Sequence, residues 1–588
     1  MDMIHLTIDK MAVQVEKGST ILDAAKKLGI DIPTLCHLHM HEIGLNNQPA
    51  SCRICVVEVE KRRNLAPACA TPVAEGMVVY TNSPRVIEER RTVMELMLSD
   101  HPKDCLTCAK SGECDLQRTA EKMGIRKVRI TGKSQSTYTP DTSVSILRDM
   151  NKCIMCRRCE TVCNQVQTVG ALSGVNRGFE AVVSTSFQAP LAESVCTYCG
   201  QCVQVCPVGA LTSNASASEH LIEDLADPDK IVIVNTAPAV RAALGEEFGY
   251  EAGTSVTGKM VAALRKIGFD YVFDTDFAAD VTIMEEATEL AERIQKYVKG
   301  EPVALPLMTS CCPAWINFIE TQYPEYLALP SSARSPQQMF GAIAKNYFAD
   351  KLGVQRDKLV VVSVMPCIAK KFEAQREEFG TDGNPDVDYS ISTHELASVI
   401  KQFNLDLKNL DDEEFDDPLG ESTGAAVIFG KTGGVMEAAL RTAYEWLTGE
   451  TLENVEFEDV RSTSSGIKKA SVKIGDLTLN LAVASGLGNA RRIMEEIKAG
   501  NPDQLHAVEI MACPGGCVNG GGQPYNHGDF EVVRKRQQAL CSEDQSKSIR
   551  KSHENPFVKK LYSEYMGQPG HGKSHELLHT VYQKKDRI

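Results

Sequence analysis

Alternating polar and apolar residues characterise the amino-terminal part of the chain. The period-two pattern of half-buried strands runs through the segments HLTID, MAVQVE, CVVEVE and MVVYT. One helical stretch, STILDAAKKLGI, interrupts these segments, and either Ser19 or Thr20 can cap its first turn. The pattern predicts a small β-rich module with a single helix over residues 1–80.

The pattern changes twice further along the chain. Residues 85–130 are mostly helical in pattern, whereas residues 140–215 are dense in cysteine and have few long apolar runs. From about residue 230, β-branched runs such as KIVIVNT and KLVVVSVMP alternate with helical stretches such as SPQQMFGAIAKNYFADKLG and GVMEAALRTAYEWLTG. This alternation is typical of an α/β domain. From about residue 531 the pattern is charged and helical, as in NPFVKKLYSEYMG and HELLHTVY.

Composition and charge narrow the class of protein. The chain has 588 residues, of which 43% are hydrophobic and 24% charged, as in globular multidomain proteins. Its net charge of −15 disfavours nucleic acids and anionic membranes as partners. The segment MDMIHLTIDK has no apolar signal core, and no apolar run approaches the roughly 18 residues of a membrane span. We therefore expect a cytoplasmic protein whose partners are proteins or small molecules.

Cysteine changes this picture. The chain has 21 cysteines, and most of them lie before residue 207. Because a cytoplasmic compartment keeps thiols reduced and a chain of this size needs no disulfide staples, metal binding is the expected role. Hydrophobic burial alone cannot hold the cysteine-dense segment 140–215, so we expect metal ions to hold it.

Two cysteine runs, in CIMCRRCETVC and CTYCGQCVQVCP, share the spacing C-x2-C-x2-C-x3-C. In the two-cluster ferredoxin pattern, three cysteines of a run bind one [4Fe-4S] cluster and the fourth binds the other cluster. Zinc sites, the alternative, use four ligands in two pairs and fit the doubled run less well. The predicted ligands are Cys153, Cys156, Cys159 and Cys206 for one cluster, and Cys196, Cys199, Cys202 and Cys163 for the other.

The β-rich module contains four cysteines with the spacing C-x15-C-x2-C-x13-C. A C-x2-C pair flanked by single distant cysteines on a ferredoxin-like module indicates a [2Fe-2S] cluster, although this spacing differs from the plant type. The predicted ligands are Cys36, Cys52, Cys55 and Cys69.

The segment HPKDCLTCAKSGEC supplies three more thiolates, one fewer than a [4Fe-4S] cluster uses. His101, four residues before the first of them, can provide the missing ligand through an imidazole nitrogen. A histidine near cysteines is more often a bystander, but the missing fourth ligand favours coordination here. The predicted set is His101, Cys105, Cys108 and Cys114.

Four clusters along one chain predict an electron relay that ends at a site consuming or supplying electrons. Cys367 follows an apolar strand-like run, and Cys513 and Cys517 lie in MACPGGCVNGGGQP, whose glycines let the backbone approach a bulky inorganic group. With Cys312 they offer four thiolates for a further [4Fe-4S] cluster. Cys541 is left over, and we interpret it as structural.

Three segments, TSCCPAW, MPCIAKKFE and EIMACPGGCVNGGGQP, resemble the signature motifs of the [FeFe]-hydrogenases, enzymes that interconvert H2 with protons and electrons. The resemblance covers nearly the whole chain. It implies an H-cluster, in which a [4Fe-4S] cluster is bridged through one cysteine to a di-iron unit carrying CO, CN and a dithiolate. By this resemblance Cys517 is the bridge. The other ligands of the cluster are Cys312, Cys367 and Cys513.

The resemblance leaves Cys311 unligated and implies that its thiol hands protons to the amine of the dithiolate. An unperturbed thiol pKa of about 8.5 suits proton exchange near neutral pH. Behind this thiol the family uses a relay of a serine, two glutamates and an arginine. The matching residues here are Ser331, Glu286, Glu289 and Arg293.

Helical spacing supports this relay independently of the resemblance. Glu286, Glu289 and Arg293 follow i, i+3, i+7 and share one helix face, so the carboxylates can line one route. The competing interpretation is a solvated acidic helix face, which we expect for Glu285 and Glu292.

The resemblance also implies a pocket around the di-iron unit. Lys370 is expected to donate to a cyanide ligand, with Glu373 close by. Apolar packing around the open iron site would shield it from water. At Ala239 some relatives carry a serine that hydrogen-bonds the cyanide, so that contact is absent or replaced here. The implied pocket residues are Pro238, Ala239, Gln337, Met365, Phe429 and Met511.

The sequence contains no convincing nucleotide site, so electrons are expected from other proteins. GLGNAR has an arginine where a dinucleotide fingerprint has its third glycine, and the glycines of GAAVIFGKT are spaced wrongly for a phosphate loop. The first 215 or so residues also resemble the cluster-bearing region of the large peripheral subunit of respiratory NADH dehydrogenase.

This second resemblance implies the catalytic subunit of a hetero-oligomeric, NAD(P)-linked and electron-bifurcating hydrogenase of an anaerobe. The implied partners are a flavoprotein NAD(P)H-oxidising subunit, a small [2Fe-2S] subunit and ferredoxin. Alternatives that stay open are a stand-alone ferredoxin-linked hydrogenase, a non-catalytic iron–sulfur assembly protein and an electron-relay protein. An assembly protein has no use for Cys311, Lys370 or the Glu286 relay.

Together these patterns predict a multidomain α+β and α/β chain with one [2Fe-2S] cluster, three accessory [4Fe-4S] clusters and the H-cluster. We expect the H-cluster domain to have parallel sheets flanked by helices. The predicted domains are a β-grasp ferredoxin-like domain at 1–80, a histidine–cysteine [4Fe-4S] domain at 81–138, a two-cluster ferredoxin-type domain at 139–220, an α/β H-cluster domain at 221–530 and a helical, small-subunit-like extension at 531–588.

Overall fold

A computed structural model describes the chain at residues 2–40, 43, 45–47, 49–131, 138–461, 466–475 and 477–587. Residues 132–137, which belong to the predicted histidine–cysteine domain, lie outside the described residues. Among the helices that are described, none combines the length and the apolarity that a bilayer crossing requires.

The first module is a five-stranded sheet with one helix. The helix α1 (Ile21–Lys27) begins in a capping box, in which the Thr20 hydroxyl accepts from the Asp23 amide and the Asp23 carboxylate accepts from the Thr20 amide. Thr20, rather than Ser19, is therefore the cap. The strands, in the spatial order β2-β1-β5-β3-β4, are β1 (Met3–Ile8), β2 (Met11–Glu16), β3 (Val56–Val59), β4 (Ala66–Pro67) and β5 (Met77–Tyr80).

Two helices, α2 (Pro84–Asp100) and α3 (Asp115–Lys122), frame the second module. The prediction of a mostly helical segment is wrong between them, because residues 101–114 form a series of turns. Gly112 has a left-handed φ of 85° there, a conformation that does not continue a helix. The cysteines of this module therefore lie on turns rather than on a helix.

Short elements surround the two cysteine runs in the third module. Each run enters a short helix through a residue with a left-handed backbone, Arg157 (φ 60°) in the first and Gly200 (φ 73°) in the second. The sequence repeat is thus a structural repeat as well. A Cβ at position 200 would lie 2.8 Å from the Cα of Gly521, so the second run needs glycine at this turn. The short strands are Asp141–Thr142, Ile146–Arg148, Ser173–Val175, Val182–Ser184 and Leu211–Ser213.

The large central domain contains two sheets. One has the order β7-β6-β9-β10 with all strands parallel, and the other has the order β8-β13-β12-β11, in which only the pair β11 and β12 is antiparallel. The predicted parallel sheets are confirmed. The strands are β6 (Ile231–Thr236), β7 (Tyr271–Asp274), β8 (Leu307–Met308), β9 (Leu359–Met365), β10 (Tyr389–Ser392), β11 (Ile467–Ile474), β12 (Leu477–Ser485) and β13 (Ala507–Met511).

The carboxyl ends of these parallel strands position a group of cysteines in the second half of the chain. We call them the late cysteines: Cys311, Cys312, Cys367, Cys513 and Cys517. Strand β9, LVVVSVM, is buried along its whole length, as expected for a central parallel strand covered on both faces. It ends two residues before Cys367, and β13 ends two residues before Cys513. Ligand sites of α/β sheets form beyond such strand ends, where connecting loops meet.

Helices cover both sheets of the central domain. The first half of α4 (Thr275–Val298) is buried on all sides, so its acidic residues Glu285 and Glu286 are inside the protein. The other principal helices are Thr257–Ile267, α5 (Pro313–Gln322), α6 (Pro336–Ile343), Thr393–Gln402, α7 (Gly434–Thr448) and Leu487–Lys498.

The carboxyl-terminal extension is helical only in part. It begins with α8 (Phe530–Ser546) and continues with the short helices Pro556–Leu561 and Lys573–Leu578. The helical prediction for HELLHTVY is wrong after residue 578, because His579 instead forms an antiparallel bridge with Ala333 of the central domain. Backbone pairing with another segment replaces the helix there.

Candidate active site

Four thiols of the first module form one group. The Sγ atoms of Cys55 and Cys69 lie 3.4 Å apart, and the Ala50 amide donates to Cys69 at 3.3 Å. Cys36 interacts with both Cys52 and Cys69. Four neighbouring thiols are a donor set that fits a [2Fe-2S] cluster.

His101 lies at the carboxyl end of α2 with a free ring nitrogen. Its Nδ1 is buried and has no hydrogen-bond partner in the described part of the chain. Burial also lowers the pKa of this imidazole, which favours the neutral form that coordinates metals. Nearby, a Cβ at Gly209 would lie 2.6 Å from the Cys108 Sγ, so glycine leaves space beside this thiol. These features fit a metal cluster at the predicted set of one histidine and three cysteines.

Two small cavities in the third module are each lined by four cysteines. In each, the fourth cysteine of one run joins three cysteines of the other run, which is the exchange that two-cluster ferredoxins use. The lining cysteines are Cys153, Cys156, Cys159 and Cys206 in one cavity, and Cys163, Cys196, Cys199 and Cys202 in the other.

The second of these cavities lies directly against the loops that carry the late cysteines. The Asn317 amide of α5 donates to the Cys196 carbonyl at 3.1 Å. Gln201 donates to the Asn519 carbonyl at 3.0 Å, beside Cys517. Gly200 touches Gly521, as described above. The third module and the site of the late cysteines are therefore in contact. Electron transfer over a short range requires such a contact.

The late cysteines converge on one cavity. Cys311, Cys367 and Cys517 line it, and Cys312 and Cys513 interact with them. Burial raises the pKa of Cys367 to about 12 and that of Cys513 well above its usual value. Neighbouring buried thiols oppose each other's ionisation, so a cationic metal group is what would stabilise them as thiolates. The donor set fits a metal cluster for this reason.

Lys370 joins two of the signature segments beside this cavity. Its Nζ donates to the Cys311 carbonyl at 3.1 Å and to the Glu373 carboxylate at 2.8 Å. Glu373 also accepts from Ser335 at 2.8 Å and from Gln337 at 3.2 Å. The buried ammonium is therefore held in one place, with a hydrogen still available for an anionic ligand in the cavity.

The remaining pocket residues predicted from the sequence lie together. They share the cavity with Lys370, and mainly apolar atoms surround it. At Ala239, where some relatives of the resembled family have serine, the side chain offers no hydrogen bond, and the Ala239 carbonyl accepts from Gln523 at 2.8 Å. The lining positions that the sequence predicted are Pro238, Ala239, Gln337, Met365, Phe429 and Met511.

Glu286 faces the segment that carries the adjacent cysteines. Its Oε1 lies 3.2 Å from the Ser310 hydroxyl and accepts from the Ser310 amide at 3.4 Å. Burial, together with the charges of Glu289 and Glu509, raises the pKa of Glu286 to about 8. Burial, and then the charge of Glu286, also raises the pKa of Cys311 well above its usual value. Both groups are therefore protonated near neutral pH.

The outer part of the predicted relay is a hydrogen-bonded chain. Ser331 donates to the Glu289 Oε2 at 2.7 Å, and Arg293 donates to the Glu289 Oε1 at 2.6 Å. The Arg293 guanidinium also donates to the Ala304 carbonyl at 3.0 Å. Arg293 and Glu289 are each about one-sixth exposed, so this end of the relay reaches solvent.

Ser310 is a functional candidate that sequence reasoning missed. Its hydroxyl contacts Glu286 and donates to the Ala333 carbonyl at 2.6 Å, while the Ala333 amide donates to the Ser331 hydroxyl at 3.1 Å. The inner and outer parts of the relay thus meet at Ala333. The position of Ser310 in TSCCPAW, directly before Cys311, was the available signal.

The expectation for Glu285 is wrong, whereas Glu292 is half exposed as expected. Glu285 is fully buried, and its carboxylate accepts from the ring of His579 at 2.9 Å. Its other donors include the hydroxyl groups of Tyr562 and Ser574. The extension covers this face of α4, so a position that looks solvated from helical spacing is inside the protein.

The segment GLGNAR does not form an open phosphate site. It opens the helix Leu487–Lys498, but the first free amide, that of Leu487, donates to the side chain of Gln167 at 3.0 Å. A Cβ at Gly488 would lie 2.5 Å from the Val166 carbonyl oxygen. The third module covers the start of this helix, and the glycines let the two segments pack closely together.

Known protein families match most of the chain. Residues 230–521 match the family described as iron only hydrogenase large subunit, C-terminal domain, and residues 530–585 match iron hydrogenase small subunit. The amino-terminal matches are the 2Fe-2S iron-sulfur cluster binding domain at 1–84, the NADH-ubiquinone oxidoreductase-G iron-sulfur binding region at 90–129 and the NADH-quinone oxidoreductase subunit 3 ferredoxin-like domain at 143–212.

Individual relatives extend over the full length. The chain is 62% identical to the NADP-reducing hydrogenase subunit HndD of Solidesulfovibrio fructosivorans, with 100% of both chains covered. It is 40% identical to iron hydrogenase 1 of Clostridium pasteurianum, covering 99% of this chain and 100% of that one. A solved variant of [FeFe]-hydrogenase HydA1 from Chlamydomonas reinhardtii shares 40% identity with a TM-score of 0.56, covering 63% of this chain and 99% of that one. These matches confirm the predicted fold class and the types of cluster.

Proposed function

The chain belongs to the [FeFe]-hydrogenase family as a catalytic subunit, and we propose on that basis which of its residues serve the reversible reaction 2H+ + 2e− ⇌ H2. The observation that carries the proposal is the convergence of five thiols and the Lys370 ammonium on one buried cavity. An H-cluster bound there would supply the redox-active iron at which protons and electrons combine. The residues of the chain hold this group, exclude water and move protons and electrons to it.

Four of the five thiols are the proposed ligands. Cys312, Cys367 and Cys513 would hold the [4Fe-4S] part of the group, and Cys517 would be the ligand shared with its di-iron unit. Lys370 anchors an anionic ligand of that unit, because its ammonium is buried and fixed by Glu373. The pocket of apolar side chains, with Met365 and Met511 among them, keeps bulk water away from the site.

The fifth thiol, Cys311, is the proposed proton carrier closest to the H-cluster. Its raised pKa keeps the proton on Sγ until a stronger base is present in the cavity. Glu286, with a pKa of about 8, is suited to return a proton to this thiol near neutral pH. Ser331 and Glu289 pass protons inward from the exposed end at Arg293. Ser310 supports the Glu286 carboxyl group by hydrogen bonding.

Electrons are proposed to enter through the amino-terminal clusters. The His101 set and the first module are the outer centres. The eight cysteines of the third module would hold two [4Fe-4S] clusters. The set that includes Cys196 lies against the central domain, because Asn317 donates to the Cys196 carbonyl. With all centres loaded, about 20 iron atoms per chain are expected.

We propose that the chain acts within a multisubunit complex. The amino-terminal matches to NADH dehydrogenase regions, and the full-length similarity to a subunit of an NADP-reducing hydrogenase, support a flavoprotein subunit that oxidises NAD(P)H as the electron partner. A small [2Fe-2S] subunit and ferredoxin are the other proposed partners, in an electron-bifurcating arrangement. A cytoplasmic location follows from this proposal, because NAD(P)H and reduced ferredoxin are found there.

The experiment that tests this proposal is anaerobic purification from the native host. A co-purifying flavin-bearing subunit, with H2 formation from NAD(P)H that depends on ferredoxin, would support the bifurcating complex. A single chain that is active with ferredoxin alone would instead support the stand-alone hydrogenase.

A further inference from the structure

A short backbone segment of the extension pairs with the central domain. The Thr580 amide donates to the Ser332 carbonyl at 2.8 Å, and the Arg334 amide donates to the Leu578 carbonyl at 2.8 Å. Between these bonds, His579 bridges Ala333. Residues 578–580 therefore pair with residues 332–334, which directly follow the relay residue Ser331.

Side chains reinforce this pairing at Glu285. Its buried carboxylate accepts from Tyr562, Ser574, the Gly570 amide and the His579 ring. A carboxylate has about four sites for hydrogen-bond donors, so these four donors from the extension satisfy it fully. Glu285 is thus an anchor inside α4 for a segment almost three hundred residues away in the chain.

His579 connects this anchor to the serine segment. Its Nε2 lies 2.9 Å from Glu285, and its Nδ1 lies 2.8 Å from the Ser332 hydroxyl. When the Nε2 hydrogen is donated to the Glu285 carboxylate, Nδ1 of the same ring is free to pair with the Ser332 hydroxyl. The ring is buried, so water does not compete for either bond.

The anchored segment is the one that completes the outer relay. Glu289 lies one turn after Glu285 on α4 and accepts from the Ser331 hydroxyl at 2.7 Å and from the Ser332 amide at 3.2 Å. The serine segment is consequently attached to α4 at two successive turns, once through Glu289 and once through His579.

We propose that His579 is a positioning residue for proton transfer, which holds Ser331 in hydrogen-bonding register with Glu289 through the chain Glu285–His579–Ser332. This inference rests on the proposed proton relay. His579 is not among the residues that line the cavity proposed for the H-cluster. Its effect is geometric, because displacement of a proton carrier by about 1 Å can cost on the order of a hundredfold in rate.

Two variants break the proposed link from opposite sides. His579→Gln keeps a donor for the buried Glu285 but removes the acceptor for Ser332, and Ser332→Ala removes the hydroxyl without changing the extension. Each is expected to slow H2 production by about tenfold and to increase the solvent deuterium isotope effect. Both substitutions remove the same contact between His579 and Ser332. The double variant should therefore be no slower than either single variant.

The matched control is His571→Ala. His571 belongs to the same extension and pairs with Glu292 of the same helix at 3.2 Å, but this pair is exposed to solvent. It should leave the rate and the isotope effect unchanged. Infrared bands of iron-bound CO and CN, and reduction of the clusters by dithionite, should be the same in all variants, which separates proton transfer from cofactor loading.

The inference is overturned if His579→Gln and Ser332→Ala, with normal infrared bands, both stay within twofold of the parent in rate and isotope effect. It is also overturned if these variants lose the bands, because His579 would then support cofactor binding. Ser331→Ala separates the role of His579 from the role of the relay itself. If Ser331→Ala is fully active, the proposed relay itself fails, whereas a slow Ser331→Ala beside two active link variants refutes only the role of His579.

Discussion

The Nζ of Lys370 lies 3.1 Å from the carbonyl oxygen of Cys311. The same ammonium donates to Glu373 at 2.8 Å, so one buried charge ties the backbone beside the free thiol to the segment of Cys367. An ammonium so placed can bind an anionic ligand in the cavity and fix the adjacent cysteine pair together. Substitution of Lys370 therefore tests how the active site is assembled.

Lys370→Met removes the charge while keeping the length of the side chain. We expect the variant to retain its [4Fe-4S] clusters but to lose the di-iron unit, because the ammonium that anchors its anionic ligand is gone. Iron analysis should fall by two atoms per chain, and H2 production should drop at least a hundredfold. Thermal unfolding should show a loss of about 3 kcal/mol, because Glu373 is left buried without its cation.

The control for this loss of stability is Lys371→Met. Lys371 is the next residue and forms an equally buried ion pair with Glu395 at 2.6 Å, away from the cavity. The stability loss should be similar and the iron content normal. Equal loss of the di-iron unit in both variants would show that stability, rather than the position of Lys370, governs loading.

Cys311→Ala should separate proton transfer from cofactor binding. Because Cys311 is the fifth thiol and four others suffice as ligands, the variant should keep all of its iron. The rate of H2 production should fall at least a hundredfold, since a positioned proton carrier is lost. Cys541→Ala, outside the cavity, is the matched control and should be fully active. An active Cys311→Ala variant would refute the assigned role.

The pKa of Glu286 predicts a pH dependence of stability. Burial raises this pKa from 4.5 to about 8, so the folded protein binds the proton more tightly than the unfolded chain does. The contribution of Glu286 to the free energy of unfolding therefore falls as pH rises from about 4.5 to about 8 and is constant above that range. Glu286→Gln cannot titrate, so its stability relative to the parent should increase over this interval in denaturant unfolding.

The same titration should affect activity. H2 production by the parent should decline above about pH 8, where Glu286 loses its proton, and Glu286→Gln should be slow at every pH. Glu292→Gln, on the same helix but half exposed, is the control and should keep the parent profile. A parent profile that Glu286→Gln reproduces would contradict the placement of Glu286 in the relay.

His101 can be tested as a ligand. His101→Ala should remove one [4Fe-4S] cluster, about four iron atoms per chain, together with its electron paramagnetic resonance signal. His101→Cys should retain the iron and shift the reduction potential of that cluster to a more negative value, because a thiolate adds negative charge. His5→Ala, at an exposed histidine of the first module, should change neither quantity.

Much of the fold was predictable because it follows from local pattern. The β-branched runs became β6 and β9, and the helical stretch after Ser335 became α6. The exchange of cysteines between the two runs also follows from spacing, and the cavities of the third module bring together the expected sets. Ligand spacing is informative because a compact cluster constrains a short chain segment strongly.

The burial of Glu285 was not predictable in the same way. Helical spacing identifies which residues share a face, but it cannot tell which face the rest of the chain covers. The donors at Tyr562, Ser574 and His579 are 277 to 294 residues away in sequence, and only the folded extension brings them to α4. Ser310 was missed for a related reason, because its contact with Glu286 joins two distant segments.

The most direct test of the central claim is infrared spectroscopy of the anaerobically matured chain. An H-cluster held by Cys312, Cys367, Cys513 and Cys517 predicts bands from iron-bound CO and CN in the parent and in Cys311→Ala. The same bands should be absent from Cys517→Ala. Matured parent protein with no such bands would contradict the account, and the chain would then be an electron conduit without a hydrogen-forming site.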